Sequence, residues 1–297
     1  GNNSIFFKKK IQNYLNNNYS NFAHPNIHAL NFSKNIKKIF PNFSKIVFCN
    51  SGTEAVSKSL RISRAINKKK YIVSVAGSWH GSVDQLLFQP NKNLKNKPLS
   101  SGISQYDEKN LIFIPYNDIE ISKKILDKKI NKINCLIIEP VQACLPLKDT
   151  SKYLKFLESY CKKNKIVLIF DEIITGLRSY NYSVQNNYKI KPDITTIGKI
   201  FGGGLPIGVI GISKNIAKKI SEKNNKVFFG GTFSGNSMSA YIGNETIKYL
   251  KKNKKIFLNL NVKSKYFQDN INKFIKQNNL DLQIYRYASI LRIVYTK

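Results

Sequence analysis

The chain has 297 residues, of which 42% are hydrophobic and 12% aromatic, so it can form a sizeable core and is neither a disordered tail nor a fibrous repeat. Its formal net charge of +32 would suit a nucleic-acid-binding protein, but only five of its 49 basic residues are Arg, the residue that reads bases and clamps phosphates. The lysines are spread along the whole chain, and a compositional bias of the source genome explains them more simply than a nucleic-acid surface does.

Short apolar runs recur along the chain and are predicted to be buried strands. Each is rich in Val and Ile and is bounded by Gly, Pro, Asn or Asp. In chain order the runs are 45–49, 71–75, 111–115, 135–139, 166–171, 194–197 and 208–212, with helical periodicity at 53–66 and 152–161. Because strands alternate with helices, the sequence predicts an α/β fold with a mostly parallel central sheet flanked by helices. Such a sheet binds ligands beyond the carboxyl ends of its strands.

The last part of the chain is predicted to be a second unit. A Lys-rich helix ends at 251–255, so residues 1–250 form a large domain and residues 251–297 begin a small α/β domain. The final run, 289–296, is interpreted as an edge or hairpin strand without its partner. Since the chain also starts without Met, we expect a fragment that lacks both ends of a longer protein.

Cysteine and histidine patterns exclude several kinds of site. The four cysteines show no C-x-x-C spacing, which argues against zinc and against a disulfide framework. His24 and His28 are four residues apart, but Pro25 disfavours a helical metal-binding face. No apolar stretch is long enough to span a bilayer and no signal-peptide pattern is present. We therefore expect a cytoplasmic protein with no metal, membrane or nucleic-acid partner.

A turn of small residues follows the first predicted strand. Residues 50–53, Asn-Ser-Gly-Thr, precede a helix predicted to begin near Thr53. A helix N-terminus offers unpaired backbone N–H groups and the positive end of the helix dipole, so this segment could bind phosphate. Equally, it could be an ordinary capping box in which Ser51 and Glu54 satisfy the helix end.

Three more side chains are predicted at strand ends. Asp171 ends a buried strand, where a carboxylate needs a cation or several donors, unless it only caps a following helix. Lys199 precedes three glycines at 202–204 and could reach the ligand crevice, although most lysines here are solvated; Ile200 excludes a Walker phosphate loop. Trp79, the only Trp, offers an aromatic plate or fills the core.

Together these residues match one cofactor. A phosphate site, a buried acid, a reachable amine and an aromatic plate on one rim would suit pyridoxal phosphate, whose ring acts as an electron sink when its nitrogen stays protonated.

Six segments of the chain resemble the class III (ω-) aminotransferases, pyridoxal-phosphate enzymes of fold type I. In the family's order, they are FCNSGTEAV (48–56), SWHG (78–81), IIEPV (137–141), LIFDEIITGLR (168–178), PDITTIGKIFGGGLPIG (192–208) and GGTFSGN (230–236). Within the class, the segment at 192–208, GTFSGN and the final ASILRIVYT are most similar to the glutamate-1-semialdehyde 2,1-aminomutases. The segment 142–144, Gln-Ala-Cys, matches neither the aminomutases nor the general transaminases fully, and this leaves the substrate open.

The resemblance implies a role for each site residue. Lys199 would be the Schiff-base lysine and proton shuttle, and Asp171 would hold the pyridine nitrogen. Ser51, Gly52 and Thr53 would bind the phosphate, with Thr232 reaching it from the neighbouring subunit of a homodimer. Trp79 would stack on one ring face and Ile173 would press on the other; His80 belongs to the same motif, with no role assigned.

The expected activity is amino-group transfer on a small-molecule amino or keto substrate. As an aminomutase, the enzyme would convert glutamate 1-semialdehyde to 5-aminolevulinate. As a general class III transaminase, it would pass the amino group to another acceptor, for instance a sugar precursor. A third alternative is a basic binding protein that retains the fold without the reaction.

Overall fold

The computed structural model describes residues 4–18, 24–91 and 95–296. The α-helices are α1 (Ile5–Asn17), α2 (Ile27–Ile39), α3 (Gly52–Ile66), α4 (Gln105–Asn110), α5 (Ile119–Asp127), α6 (Ser151–Lys163), α7 (Val184–Tyr188), α8 (Lys214–Lys219), α9 (Ser237–Lys252) and α10 (Lys255–Gln277). The strands are β1 (Phe43–Cys49), β2 (Tyr71–Val75), β3 (Phe88–Pro90), β4 (Asn96–Pro98), β5 (Leu111–Ile114), β6 (Ile133–Ile138), β7 (Val167–Asp171), β8 (Ile194–Gly198), β9 (Gly208–Ser213), β10 (Leu282–Tyr287) and β11 (Ile290–Tyr295).

Seven strands form the central sheet in the order β1-β9-β8-β7-β6-β2-β5. The neighbours from β8 to β5 are parallel, whereas β9 is antiparallel to both β8 and β1. Two antiparallel steps bring β1 back into the common direction, so its carboxyl end lies on the same rim as those of β2, β6, β7 and β8. The predicted mostly parallel sheet is confirmed.

Burial on both faces explains the continuous apolar runs. Every residue of β6, β7 and β8 is buried, as expected for central parallel strands covered by helices. One apolar cluster includes Val56 and Leu60 of α3, and a second includes Leu154 and Leu157 of α6. The prediction of full burial is wrong for β1, which is an edge strand with most of its residues half-exposed.

The C-terminal strands form a separate hairpin. The prediction that the run at 289–296 lacks a partner is wrong, because β11 pairs antiparallel with β10 along its whole length. Ile290 and Tyr287, at the turn of the hairpin, pack into the same apolar cluster as Val141. The predicted boundary at 250–256 falls at the break between α9 and α10. The division into two domains stays a prediction.

Within the described ranges, no helix is both long enough and apolar enough to cross a membrane.

Candidate active site

The strand-end residues selected from the sequence line one cavity of about 360 Å³, within the range typical of small-molecule sites. Its lining residues are Asn50, Ser51, Gly52, Thr53, Trp79, His80, Gly81, Glu139, Asp171, Ile173, Ile174, Lys199, Leu205, Pro206 and Ile207. Eight of the nine predicted site residues are therefore together, and the exception is Thr232.

Asp171 is the buried acid of this cavity, with 3% of its surface exposed. Its Oδ2 accepts a hydrogen bond from Nδ1 of His80 at 2.8 Å, and its Oδ1 accepts from Oγ1 of Thr196 at 3.0 Å and from the backbone N–H of Ile173 at 3.2 Å. The prediction of several donors is confirmed. The alternative of a helix cap is wrong, because the chain after Asp171 continues in turns and not in a helix.

His80 lies behind the acid and is itself buried. Because the Asp171 carboxylate can only accept, the hydrogen between the two side chains is on Nδ1 of His80. The other ring nitrogen, Nε2, is buried and has no hydrogen-bond partner in the described part of the chain. His80 thus orients Asp171 from within the wall of the cavity, a role that the sequence left open.

Lys199 follows β8 directly and its backbone is in the left-handed region, with φ of 48°. A side chain other than Gly is uncommon there and costs about 1–3 kcal/mol, a kind of strain that concentrates at functional sites. Partial burial lowers the pKa of Lys199, while the Asp171 and Glu139 carboxylates oppose this and Arg178 adds to it. Lys199 therefore loses its proton more easily than a surface lysine, as a nucleophilic or proton-transferring amine requires.

The turn after β1 is both a helix cap and a candidate phosphate site. Oγ of Ser51 accepts from the Glu54 backbone N–H at 3.1 Å, and Oε2 of Glu54 accepts from the Asn50 backbone N–H at 2.7 Å. Ser51 is thus confirmed as the cap of α3, whereas the capping box is only partly confirmed, because Glu54 accepts from the N–H of Asn50 and not from that of Ser51. The cap leaves the phosphate interpretation in place, since Gly52 and Thr53 supply the first backbone N–H groups of α3, which have no partner inside the helix, and both residues line the cavity.

Trp79 and Ile173 contribute apolar surface to the cavity. Trp79 is 50% exposed, so the core-packing alternative is wrong for this residue. Ile173 packs on Gly52, where an added Cβ would come within 2.6 Å of its Cδ1. Thr232, in contrast, is exposed and lies in a separate recess that it shares with Phe229 and Gly231.

Asp171 and Glu172, the two acidic residues at the end of β7, have different roles. The side chain of Glu172 is fully buried and accepts hydrogen bonds at 2.8 Å from Oγ1 of Thr175 and from the backbone N–H groups of Val184 and Gln185. Those two N–H groups belong to the first turn of α7, so Glu172 holds that helix in place. Only Asp171 of the pair faces the ligand cavity.

Glu139 is a cavity residue that was not predicted. It follows β6 directly, is 2% exposed, and accepts a hydrogen bond from the Trp79 backbone N–H at 2.9 Å. Burial and the nearby Asp171 charge raise the pKa of Glu139 to about 8. The sequence contained a signal for this position, because Glu139 lies at the end of the predicted strand 135–139, as Asp171 lies at the end of the predicted strand 166–171.

Comparison with known proteins places the chain in a family. The model of the family described as aminotransferase class-III matches residues 8–286. The chain belongs to the class III aminotransferases. Similar relatives named glutamate-1-semialdehyde 2,1-aminomutase come from Methanococcus maripaludis (34% identity; 91% of this chain and 64% of the relative), Archaeoglobus fulgidus (39%; 75% and 54%) and Wigglesworthia glossinidia brevipalpis (36%; 100% and 68%). The chain thus spans about half to two thirds of their length.

Solved structures of two other proteins share the fold. An omega-transaminase from Sphaerobacter thermophilus superimposes with a TM-score of 0.89 at 24% identity, over 99% of this chain and 69% of that chain. A glutamate-1-semialdehyde-aminomutase from Pseudomonas aeruginosa PAO1 gives 0.86 at 17% identity, over 100% and 67%. The predicted fold class is confirmed.

Proposed function

We propose that this chain carries the catalytic site of a pyridoxal-phosphate-dependent enzyme that transfers an amino group. The observation that carries the proposal is the meeting of one amine, Lys199, and one buried acid, Asp171, in a single cavity at the tips of neighbouring strands. Membership of class III aminotransferases supports it, as does the solved transaminase with pyridoxal phosphate bound among the proteins of similar fold.

The residues present fit the cofactor. Ser51, Gly52 and Thr53 would bind its phosphate with backbone N–H and hydroxyl groups at the start of α3. Asp171, already fixed by three donors, would accept from the ring nitrogen. Trp79 and Ile173 would contact the ring. When bound, the cofactor supplies an electron sink for the bond that is broken at the substrate.

The side chains of the protein then have separate tasks. Lys199 would bind the cofactor through Nζ and afterwards carry a proton on the same atom. Its lowered pKa favours the neutral amine that both tasks require. His80 keeps the Asp171 carboxylate oriented, so the acid needs little rearrangement when a ligand arrives.

For the reaction itself we propose the aminomutase activity of the named relatives, which would shift an amino group between adjacent carbons of glutamate 1-semialdehyde and give 5-aminolevulinate. The relatives at 34–39% identity that carry this name support it. The substrate is then a small amino and carbonyl compound.

We further propose that the enzyme works as a homodimer in which Thr232 serves the site of the partner. Thr232 is exposed and outside the cavity of its own chain. The segment around it carries exposed aromatic surface, with Phe228 79% and Phe233 55% exposed. Apolar surface of this kind on a loop supports an interface.

A reducing, cytoplasmic location is proposed with it. All four cysteines are free thiols, and three of them are buried. Free thiols of this kind are usual where disulfides do not form.

Formation of 5-aminolevulinate tests the proposal. The protein loaded with pyridoxal phosphate is incubated with glutamate 1-semialdehyde; the wild type and the surface control Lys214→Ala should form the product, and Lys199→Ala should lose at least about 10³-fold in rate. A wild-type protein that forms no product would refute the aminomutase assignment. If the same protein transfers an amino group to a 2-oxo acid, the general transaminase replaces it.

A further inference from the structure

The mechanism above leaves one titratable group of the cavity unused, Glu139. It lines the same cavity as Lys199 and Asp171, and it is as deeply buried as Asp171. Asp171 has His80 beside it, whereas no Lys, Arg or His of the described ranges forms an ion pair with Glu139. A buried carboxyl group without a cation needs a specific reason to be there.

The hydrogen bonds of Glu139 show what it holds. Its Oε2 accepts from the backbone N–H of Trp79, at the loop after β2, at 2.9 Å. Gln142 also links the loop after β6 to the loop after β2, since its Nε2 donates to the Ala76 carbonyl at 2.8 Å and to Oγ of Ser78 at 3.0 Å. Hydrogen bonds from Glu139 and Gln142 thus hold segment 76–79 against the loop after β6.

Four charged or titratable groups face Glu139 from the surrounding elements. Asp171 at the end of β7 disfavours a second negative charge, and Lys199 after β8 favours it. Tyr116, after β5, and Cys144, on the loop after β6, both have raised pKa values, mainly because they are buried and partly because of Glu139. With Asp171 ionised, a further cation beside Lys199 would favour the ionised form of Glu139.

We propose that Glu139 is a positioning residue that clamps segment 76–79 to the loop after β6, and that its carboxyl group and that of Asp171 together receive a further cation that enters the cavity. An amine substrate is such a cation in water, and its ammonium group would meet two carboxylates and not one. The clamp and the pair of carboxyl groups are properties of the cavity itself; only the binding of an amine substrate between them depends on the proposed function.

The single tryptophan makes this measurable without cofactor or activity. Trp79 is the only Trp of the chain, so its fluorescence reports on the segment that Glu139 holds. In the cofactor-free full chain, the emission should titrate between pH 6 and 10 with a midpoint near 8. Ethylammonium, a small alkyl cation, should lower that midpoint by about one pH unit.

Three variants separate Glu139 from its neighbours. Glu139→Gln cannot ionise and should abolish the titration, whereas Glu120→Gln, the same change at an exposed position on α5, should keep it. Lys199→Met removes the cation that favours ionisation, so the titration should persist with its midpoint shifted upward. If Glu139→Gln fails to fold, Lys199→Met still tests whether the titrating group is a carboxyl group beside Lys199.

Several results would overturn the proposal. They are a wild-type emission that does not change with pH, a Glu139→Gln titration like that of the wild type, and a titration that disappears in Lys199→Met. An unchanged midpoint in ethylammonium would overturn the cation site. A failed aminomutase assay would leave all of these measurements intact, so the two proposals fail separately.

Discussion

Replacing Gly208 by Ala should distort the proposed phosphate site, because Gly208 lies on the strand next to it. Gly208 begins β9 and pairs with Cys49 of β1 and with Gly198 of β8. An added Cβ would lie 2.0 Å from the backbone oxygen of Ser51, whereas real Cβ contacts essentially never fall below 3.0 Å. The Ser51 carbonyl must therefore move by at least about 1 Å, and with it the first turn of α3.

The expected result is a selective loss of cofactor binding. Overpacking should lower the free energy of unfolding by about 1–3 kcal/mol. A displacement of about 1 Å in a positioned catalytic site can lower the reaction rate about 100-fold. We expect an effect of similar or smaller size on affinity, with pyridoxal phosphate binding about 10- to 100-fold more weakly. Binding is measured by titrating the protein with the cofactor and following the visible absorption band of the bound form.

Gly211→Ala on the same strand is the matched control. There an added Cβ would meet the Phe43 ring at 2.1 Å, away from the cavity, so stability should fall while cofactor affinity is retained. Wild-type affinity in Gly208→Ala would refute the assignment of the turn at 50–53 to the phosphate. Equal loss of affinity in both variants, at equal stability, would refute it as well.

Three further changes test hydrogen bonds in and near the cavity. His80→Ala leaves Oδ2 of Asp171 without its donor and should weaken cofactor binding about 10-fold; unchanged affinity in the same titration would contradict the role of His80. The folded-state pKa of Glu139, about 8, lies above its ordinary 4.5, so the wild type loses stability as the pH rises from 4.5 to 8. Urea unfolding between pH 4.5 and 9 should therefore show the free energy of unfolding of Glu139→Gln rising relative to that of the wild type by up to about 5 kcal/mol. A difference that does not change with pH would refute the raised pKa. Lys58→Met leaves Glu54 and two backbone carbonyls without their shared donor, so the free energy of unfolding in the same assay should fall by about 2 kcal/mol or more. A fall of less than about 0.5 kcal/mol would contradict this.

Much of the architecture could be predicted from local patterns. Apolar runs bounded by turn residues located all seven strands of the central sheet, because a strand covered on both faces needs a continuous apolar segment. The antiparallel position of β9 and the edge position of β1 were not predictable in this way, since each depends on pairing between distant segments. The partner of β11 was missed because β10, Leu282–Tyr287, carries Gln283 and Arg286 within its run.

The site was predictable to the extent that strand ends share one rim. Asp171 and Lys199 could be placed because each directly follows an apolar run. Glu139 also lies at the end of an apolar run, but it was not predicted as a site residue, because its segment, IIEPV, contributed only to the family resemblance. The role of His80 was not predictable, since its bond to Asp171 joins residues 91 positions apart in the chain.

The most direct test of the central claim is to locate the cofactor on the chain. Protein incubated with pyridoxal phosphate is reduced with borohydride, digested and examined by peptide mass spectrometry. The account predicts a single modified peptide, with the cofactor on Nζ of Lys199, and much weaker labelling in Asp171→Ala. Label spread over surface lysines, or a Lys199 peptide without label, would contradict it.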